Sequence, residues 1–448
     1  MIPLAHGIGQ STDLPLPLDL VLQAGAATVV ISFLGSALLW RRPRLAGGVE
    51  RHPRTTWWLG PLRILVLATC FYLLADALFG PRDESNPAAH ALYVWLWVGL
   101  IPLSVVFGPV WRAVSPLRTL ARLLRHPGRT SPDSAPDSLP DSSLDFSPDF
   151  SPDSSPGFSA GFSAGFSPGF SLGEILAERE ISAGRGGQSW VAAAGLLAFA
   201  WLELVAPDRA DPRVIGLVIL GYAVGQLGLI FRYGPDWPAR GDLFEVYSDL
   251  AGRLSPLRWR PPLSGLAADH PAGAGRAAFL AIWWGSTIFD SASGSPAWAG
   301  FVQRAGAPIL WSTLGLTLIC GVVFVAVRRL PGKLDVANSL IPIAVGYTLA
   351  HYLTLLLVEG PRGVLLLVQQ WGLAEGAVWN LVPDPRVISV LQVALILLGH
   401  ALGVLAAHDL ALADSPGRPP LAVLADEFPV VLFMIAGTWT GLFLLFVR

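Results

Sequence analysis

Apolar runs and short polar gaps alternate along this chain. Ten of the runs reach the roughly 20 residues that a helix needs to cross about 30 Å of hydrocarbon. They lie at about 17–40, 60–80, 90–111, 188–206, 214–232, 275–292, 308–327, 336–358, 387–410 and 428–447. Hydrocarbon offers no partner to a backbone N–H or C=O, so each run is expected to be a helix that satisfies its own backbone. The expected fold class is therefore all-α, a polytopic integral membrane bundle of about ten transmembrane helices. The sixth run is the weakest, because its far end is polar.

The gaps differ in charge. With the N-terminus placed outside, the inner gaps hold 23 of the 30 Lys and Arg residues and the outer side holds seven. Such a bias marks the cytoplasmic side and predicts an N-out, C-out protein in the plasma membrane. Composition agrees: 53% hydrophobic residues, 14% charged residues and a mean hydropathy of +0.55 exclude a water-soluble globular protein of 448 residues. The net charge of −2 hides a spatial separation of charge; membrane lipids are the expected partners and nucleic acid is not. One lysine, Lys333, stands against 29 arginines, which fits GC-rich codons and a bacterial source. Cys70 and Cys320 sit inside apolar runs, so neither a disulfide framework nor a cysteine metal cluster is expected. Residues 1–16 lack a basic and then apolar leader, and the first run is expected to act as the signal.

Three regions follow. Residues 1–130 form a three-span segment, 131–172 an insertion and 173–448 a seven-span bundle. The insertion repeats Ser-Pro-Asp units (Ser131-Pro132-Asp133, Ser147-Pro148-Asp149) and then Gly-Phe-Ser units (Gly157-Phe158-Ser159 to Gly169-Phe170-Ser171). A mixture of Pro, Ser, Asp and Gly buries too little apolar surface to offset its ordering entropy, so a disordered cytoplasmic loop is expected. Just before it, Ser115 to Arg125 spaces leucines and arginines at helical intervals, as in an amphipathic helix on an anionic inner leaflet. Val364–Val368 is too short to span and reads as re-entrant or interfacial, near Trp371 and Trp379. Arg240 to Tyr247 reads as a lateral cytoplasmic helix, and Gly437 with Gly441 as a close helix contact.

Polar residues within the runs need a reason, because each is costly in hydrocarbon unless paired or wetted. Asp76 lies about 6 Å and His351 about 11 Å below the outer ends of their helices. Together with His90 and Asp290 they are expected to share one outward-opening cavity. Tyr347, His351 and Thr354 fall on one helical face, as a metal ligand or general base with nearby hydroxyls would. Asp290, followed by Ser291, Ser293 and Gly294, has three readings: coordinating a cation, holding an imidazole in one tautomer, or closing the last helical turn. Ser389, Gln392, Gly399, His400, Gly403 and His408 form a stripe in the ninth run that faces protein or water. His408 reads as a helix-end residue at the inner surface. His351 and His400 differ in depth by about 9 Å, which makes a haem between them the lesser option.

Several patches resemble a bacterial family of multi-pass membrane proteins known as fenitrothion hydrolases. They are His6-Gly7 with Asp13-Leu14-Pro15-Leu16-Pro17, Phe107-Gly108-Pro109-Val110-Trp111-Arg112 and Trp201-Leu202-Glu203-Leu204-Val205. Gly241 to Tyr247, Phe289-Asp290-Ser291, Ala350-His351-Tyr352 and Gly399-His400-Ala401-Leu402-Gly403 extend the likeness along most of the chain. The resemblance implies cleavage of an organophosphotriester, with a second membrane subunit as a partner. Taken with the polar residues, it gives the leading expectation of a metal-assisted hydrolase of lipophilic small molecules. Its catalytic residues would be His351 and Asp290, and a divalent ion such as zinc would be held among His90, Asp76, Asp290, His351 and His400. The alternatives are a transporter or transport subunit with a His and Asp proton or cation path, and a haem or copper redox subunit.

Overall fold

The computed structural model describes residues 17–51, 57–125, 190–331 and 334–446. His6, Asp13, Lys333 and the 131–172 repeat lie outside the described residues. The chain divides into two compact units, Met1–Arg122 with Gly186–Arg448, and Leu123–Arg185. Only residues 123–125 of the second are described.

The fold is all-α. In chain order α1 spans Leu18–Leu39, α2 Leu59–Phe79, and a π-wound stretch His90–Gly99 leads into α3, Leu100–Phe107. Then come α4 Val110–Val114, α5 Pro116–Arg125, α6 Trp190–Leu204, α7 Pro212–Tyr233, α8 Pro238–Gly241 and α9 Leu243–Gly252. The rest are α10 Ala274–Ser293, α11 Pro296–Ala305, α12 Pro308–Arg329, α13 Leu340–His351, α14 Leu353–Gln370, α15 Pro385–Asp414 and α16 Pro420–Phe446. Two short strands, β1 (Val49–Glu50) and β2 (Trp259–Arg260), pair antiparallel with Val49 opposite Arg260.

Among the described residues, seven helices are long and apolar enough to cross a membrane: α1, α2, His90–Phe107, α7, α12, α15 and most of α16. Ala337–His351 and Leu353–Gln370, bent by 63°, make an eighth if taken as one broken span. The chain is a multi-pass membrane protein on this ground. Two of the ten expected runs fall short for identifiable reasons. Helix α6 has 15 residues among those described. Helix α10 carries Arg276, Asp290 and several small polar residues, and nearly all of it is buried. A helix enclosed by other helices needs no apolar face toward lipid.

Helices α10 and α13 form the centre, while α2, α7 and α12 turn residues such as Leu65, Leu217 and Leu318 outward. Helix α13 lies against α15 backbone to backbone. A Cβ on Gly399 would meet the Pro342 carbonyl oxygen at 2.6 Å, and one on Gly346 would meet the Leu395 carbonyl oxygen at 2.5 Å. Gly437 and Gly441 let neighbouring helices approach closely, each leaving room for a ring, Trp284 of α10 and Tyr347 of α13 respectively.

Arginines organise one end of the bundle. Arg258 donates to Glu50 at 2.7 Å and pairs with Asp249 at 2.9 Å, which ties β1 to α9. Arg253 joins Asp269 at 2.7 Å, and Arg276 reaches Asp269 and the side chain of Asn338. Burial pushes the Asp249 carboxyl up, but Arg253 and Arg258 outweigh it and hold it below the ordinary carboxylate range. At the same end, Asp409 accepts from the Trp40 indole at 2.6 Å and from the backbone of Arg44 and Leu45. His408, expected at the surface, is buried between the Glu427 carboxylate at 2.9 Å and the Trp40 carbonyl at 3.0 Å. The segment read as a lateral helix is likewise interior: Asp242 caps α9 by accepting from Phe244 N and Glu245 N, and Tyr247 stacks on Trp97. Its two buried carboxylates are tolerated inside because each meets a partner, Asp242 the Tyr222 hydroxyl and Glu245 the Arg118 guanidinium. Val364–Val368 is part of continuous helix α14, with Pro361 accommodated inside it.

Candidate functional site

Three helix ends meet in the core. Helix α6 carries Glu203 in its last turn, α10 carries Asp290 in its last turn, and α13 stops at His351. The register between α10 and α13 is fixed below the site, where the Trp283 indole donates to Thr348 Oγ1 at 3.0 Å. One residue past His351 the helix breaks at Tyr352, whose φ of −100° and ψ of 12° leave the helical range. The break turns the phenol into the core, where it is buried.

His351 Nε2 lies 2.7 Å from Asp290 Oδ2, and the Tyr352 hydroxyl donates to the same oxygen at 2.8 Å. Tyr352 is also 3.3 Å from Glu203 Oε1. On the other side of the imidazole, Nδ1 lies 3.0 Å from Ser291 Oγ, which in turn is 3.0 Å from the Tyr347 hydroxyl. Six side chains thus make one unbroken polar chain from Glu203 to Tyr347. It is sealed from its surroundings: Asp290 is 0% exposed, Ser291 and Tyr347 1%, and His351 7%. Arg209 attracts the Glu203 end, while Asp290 repels it as a like charge.

Donor counting fixes how the chain works. With Asp290 ionised, His351 Nε2–H and the Tyr352 hydroxyl both donate to it, and Nδ1 accepts from Ser291. Tyr347 then donates to Ser291. A phenol has one proton, so Tyr352 serves both carboxyl groups fully only when one of them holds a proton of its own. The cluster therefore has more than one self-consistent proton arrangement at fixed heavy-atom positions.

The remaining expected site residues lie apart from this cluster, each with other partners. His90 Nε2 is 3.1 Å from Glu359, which also meets Arg362 at 3.5 Å. Asp76 accepts from Gln370 at 3.1 Å, and Gln370 in turn accepts from Tyr72. His400 uses Nδ1 on the Ile396 carbonyl at 2.9 Å and stands edge-on to Trp284. Among the described residues, no group of three or more His, Cys, Asp or Glu is placed to hold a metal ion. Among the described residues, the shared metal centre expected of His90, Asp76, Asp290 and His351 is therefore not assembled. The donor set does not fit a divalent ion, and a haem clamp by His351 fails too, because both its ring nitrogens face side-chain oxygens.

Family models, characterised proteins and solved structures give no match to this chain.

Sequence reasoning placed Asp290 and His351 but missed Tyr352, Glu203 and Ser291 as their partners. For Glu203 a signal exists: it is a carboxylate inside an apolar run, just as Asp76 is. Tyr352 gives none, since a tyrosine in an apolar run is ordinary.

Proposed function

We propose that the Glu203–Tyr352–Asp290–His351–Ser291–Tyr347 chain is a proton relay and that the protein is a proton-coupled transporter or transport subunit. The observation that carries this reading is the unbroken hydrogen-bonded chain, buried in the core of a membrane bundle. Buried ionisable side chains are costly in hydrocarbon, and within membrane bundles they mark substrate paths, ion paths and proton relays. A proton arriving at His351 Nδ1 reverses the Ser291 and Tyr347 hydroxyls, each of which then donates away from the imidazole. His351 Nε2 then gives its proton to Asp290, and at the other end Tyr352 passes its own proton to Glu203 as it takes the one from Asp290, so that a proton taken up beside Tyr347 is delivered to Glu203. A sealed site suits a relay, because protons need no cleft. The break between α13 and α14 supports the reading too, since broken helices place polar groups within transporter cores.

A second reading rests on Ser291, His351 and Asp290 as a hydroxyl, imidazole and carboxylate in series. In it, Asp290 orients the ring and His351 activates Ser291 for attack on a lipophilic ester, in line with the resemblance to fenitrothion hydrolases. Here no step passes through a metal.

The sidedness and span count belong to the proposal as well. All ten apolar runs cross the plasma membrane of a bacterium, with the arginine-rich end in the cytoplasm; the clustering of Arg253, Arg258 and Arg276 at one end supports this. Purified protein in proteoliposomes separates the two functional readings. Proton flux that is lost in His351→Gln and kept in Ser291→Gly supports a relay able to pass through water at the serine position. Turnover of a lipophilic phosphotriester that is lost in Ser291→Ala and unaffected in Glu203→Gln supports the hydrolase.

A further inference from the structure

A second polar site lies at the arginine-rich end, where α4 packs on α2 and the chain runs on into α5. Helix α5 packs Leu117 and Ala121 against Ile230 of α7, which leaves Arg118 and Arg122, one turn apart, on another face. Arg118 is fully engaged: it forks onto Glu245 at 2.6 and 2.7 Å and donates to the Pro235 carbonyl. Arg112 stands 3.9 Å from the same carboxylate and is about half exposed. Arg63, in the first turns of α2, spends its Nε on the Ala113 carbonyl at 2.8 Å, which pins it beside α4. Arg122 is exposed and makes no ion pair among the described residues.

Charge is therefore in excess at this corner. Asp236 and Asp242 act on Arg118, whereas the charges felt by Arg122 are those of Arg63, Arg118 and Glu245, the last already taken by Arg118. Desolvation, then the positive charges of Arg63 and Arg118, push the Arg122 guanidinium down from its ordinary value. Two exposed indoles, Trp57 at 89% and Trp58 at 48%, lead into α2 on the chain just before Arg63. Tryptophans with amphipathic rings settle at headgroup level, and guanidinium forks match phosphate oxygens two at a time.

We propose that Arg63 and Arg122, with Arg112 beside them, bind the phosphate of an anionic phospholipid headgroup, with Trp57 and Trp58 at the acyl boundary. The site is independent of the buried relay and of any activity assigned to it. Phosphate chemistry could also be met by a free anion, so the probes must separate the two sources.

Native mass spectrometry of the detergent-purified protein, titrated with phosphatidylglycerol, phosphatidylcholine or inorganic phosphate, makes the test. Retention of phosphatidylglycerol over phosphatidylcholine is expected, weakened about five- to tenfold in each of Arg63→Gln and Arg122→Gln, as the loss of one interfacial charge predicts. Arg304→Gln, an exposed arginine on α11, should leave retention unchanged. Because Arg122 is exposed, its replacement spares the fold, and an unchanged melting temperature verifies that. Equal retention of the two lipids, or no effect of either variant, overturns the proposal. So does binding of inorganic phosphate that displaces the lipid at millimolar concentration.

Discussion

Tyr352 is the joint between two buried carboxyl groups, and its single hydroxyl is what a conservative substitution removes. Tyr352→Phe keeps the ring and its packing, so a loss of about 1–2 kcal/mol is expected, read as a drop of a few degrees in melting temperature. Asp290→Ala should cost more, about 3–5 kcal/mol, because it strips the acceptor from both His351 and Tyr352 in a dry site. A thermal shift for Asp290→Ala no larger than for Tyr352→Phe would contradict that ordering. Asp249 gives a prediction in pH. Its carboxyl sits below the ordinary value when folded, so its contribution to stability is complete above the unfolded value of about 4 and fades as pH falls through the lower folded value. The melting temperature of the native protein should fall below about pH 4 more steeply than that of Asp249→Asn, and parallel curves would remove Asp249 from the account. At this scale the sequence disclosed which residues were unusual, Asp290 and His351 among them, because a polar side chain in an apolar run stands out. It did not disclose their partners. Depth can be counted along a helix, but Asp76 and His90 lie at a suitable depth and face Gln370 and Glu359 instead, since pairing depends on which helices cross and at what rotation.

Helices are where periodicity was most informative and where enclosure defeated it. Run length exposed the lipid-facing helices α1, α2, α7 and α12, whose outward leucines and valines make them conspicuous. It judged α10 weakest, and α10 is weak in hydropathy because it is central: its neighbours satisfy Arg276 and Asp290. The break at Tyr352 left no trace, for the run from 336 to 358 has no proline or glycine at the bend. Contacts between α13 and α15 yield a prediction of their own. Gly399→Ala would set a methyl group 2.6 Å from the Pro342 carbonyl oxygen, so α15 must move away from α13 at a cost of about 1–3 kcal/mol. That shift should also disturb His351, about two and a half turns along α13 from Pro342. Gly221→Ala, on α7 where a Cβ meets nothing within 4 Å, is the control and should leave melting temperature and function intact. Equal effects of the two substitutions would mean that the α13 and α15 crossing does not constrain the fold.

For the molecule as a whole, one end is rich in arginine and the buried Glu203–Tyr347 chain lies toward the other. The proposed orientation can be tested by labelling intact cells with a membrane-impermeant maleimide: Arg304→Cys should react and Arg418→Cys should react only after lysis. The reverse pattern would invert the protein and place Glu203 nearer the cytoplasm. Whichever way the protein faces, the proposed relay carries protons along the buried chain. Proton flux into proteoliposomes, followed with a pH-sensitive dye under an imposed membrane potential, tests it most directly when wild type is compared with Tyr352→Phe. The relay predicts flux in the wild type and its loss in the variant, although the variant lacks a single oxygen atom and stays folded. Equal flux in both, or none in either, would contradict it.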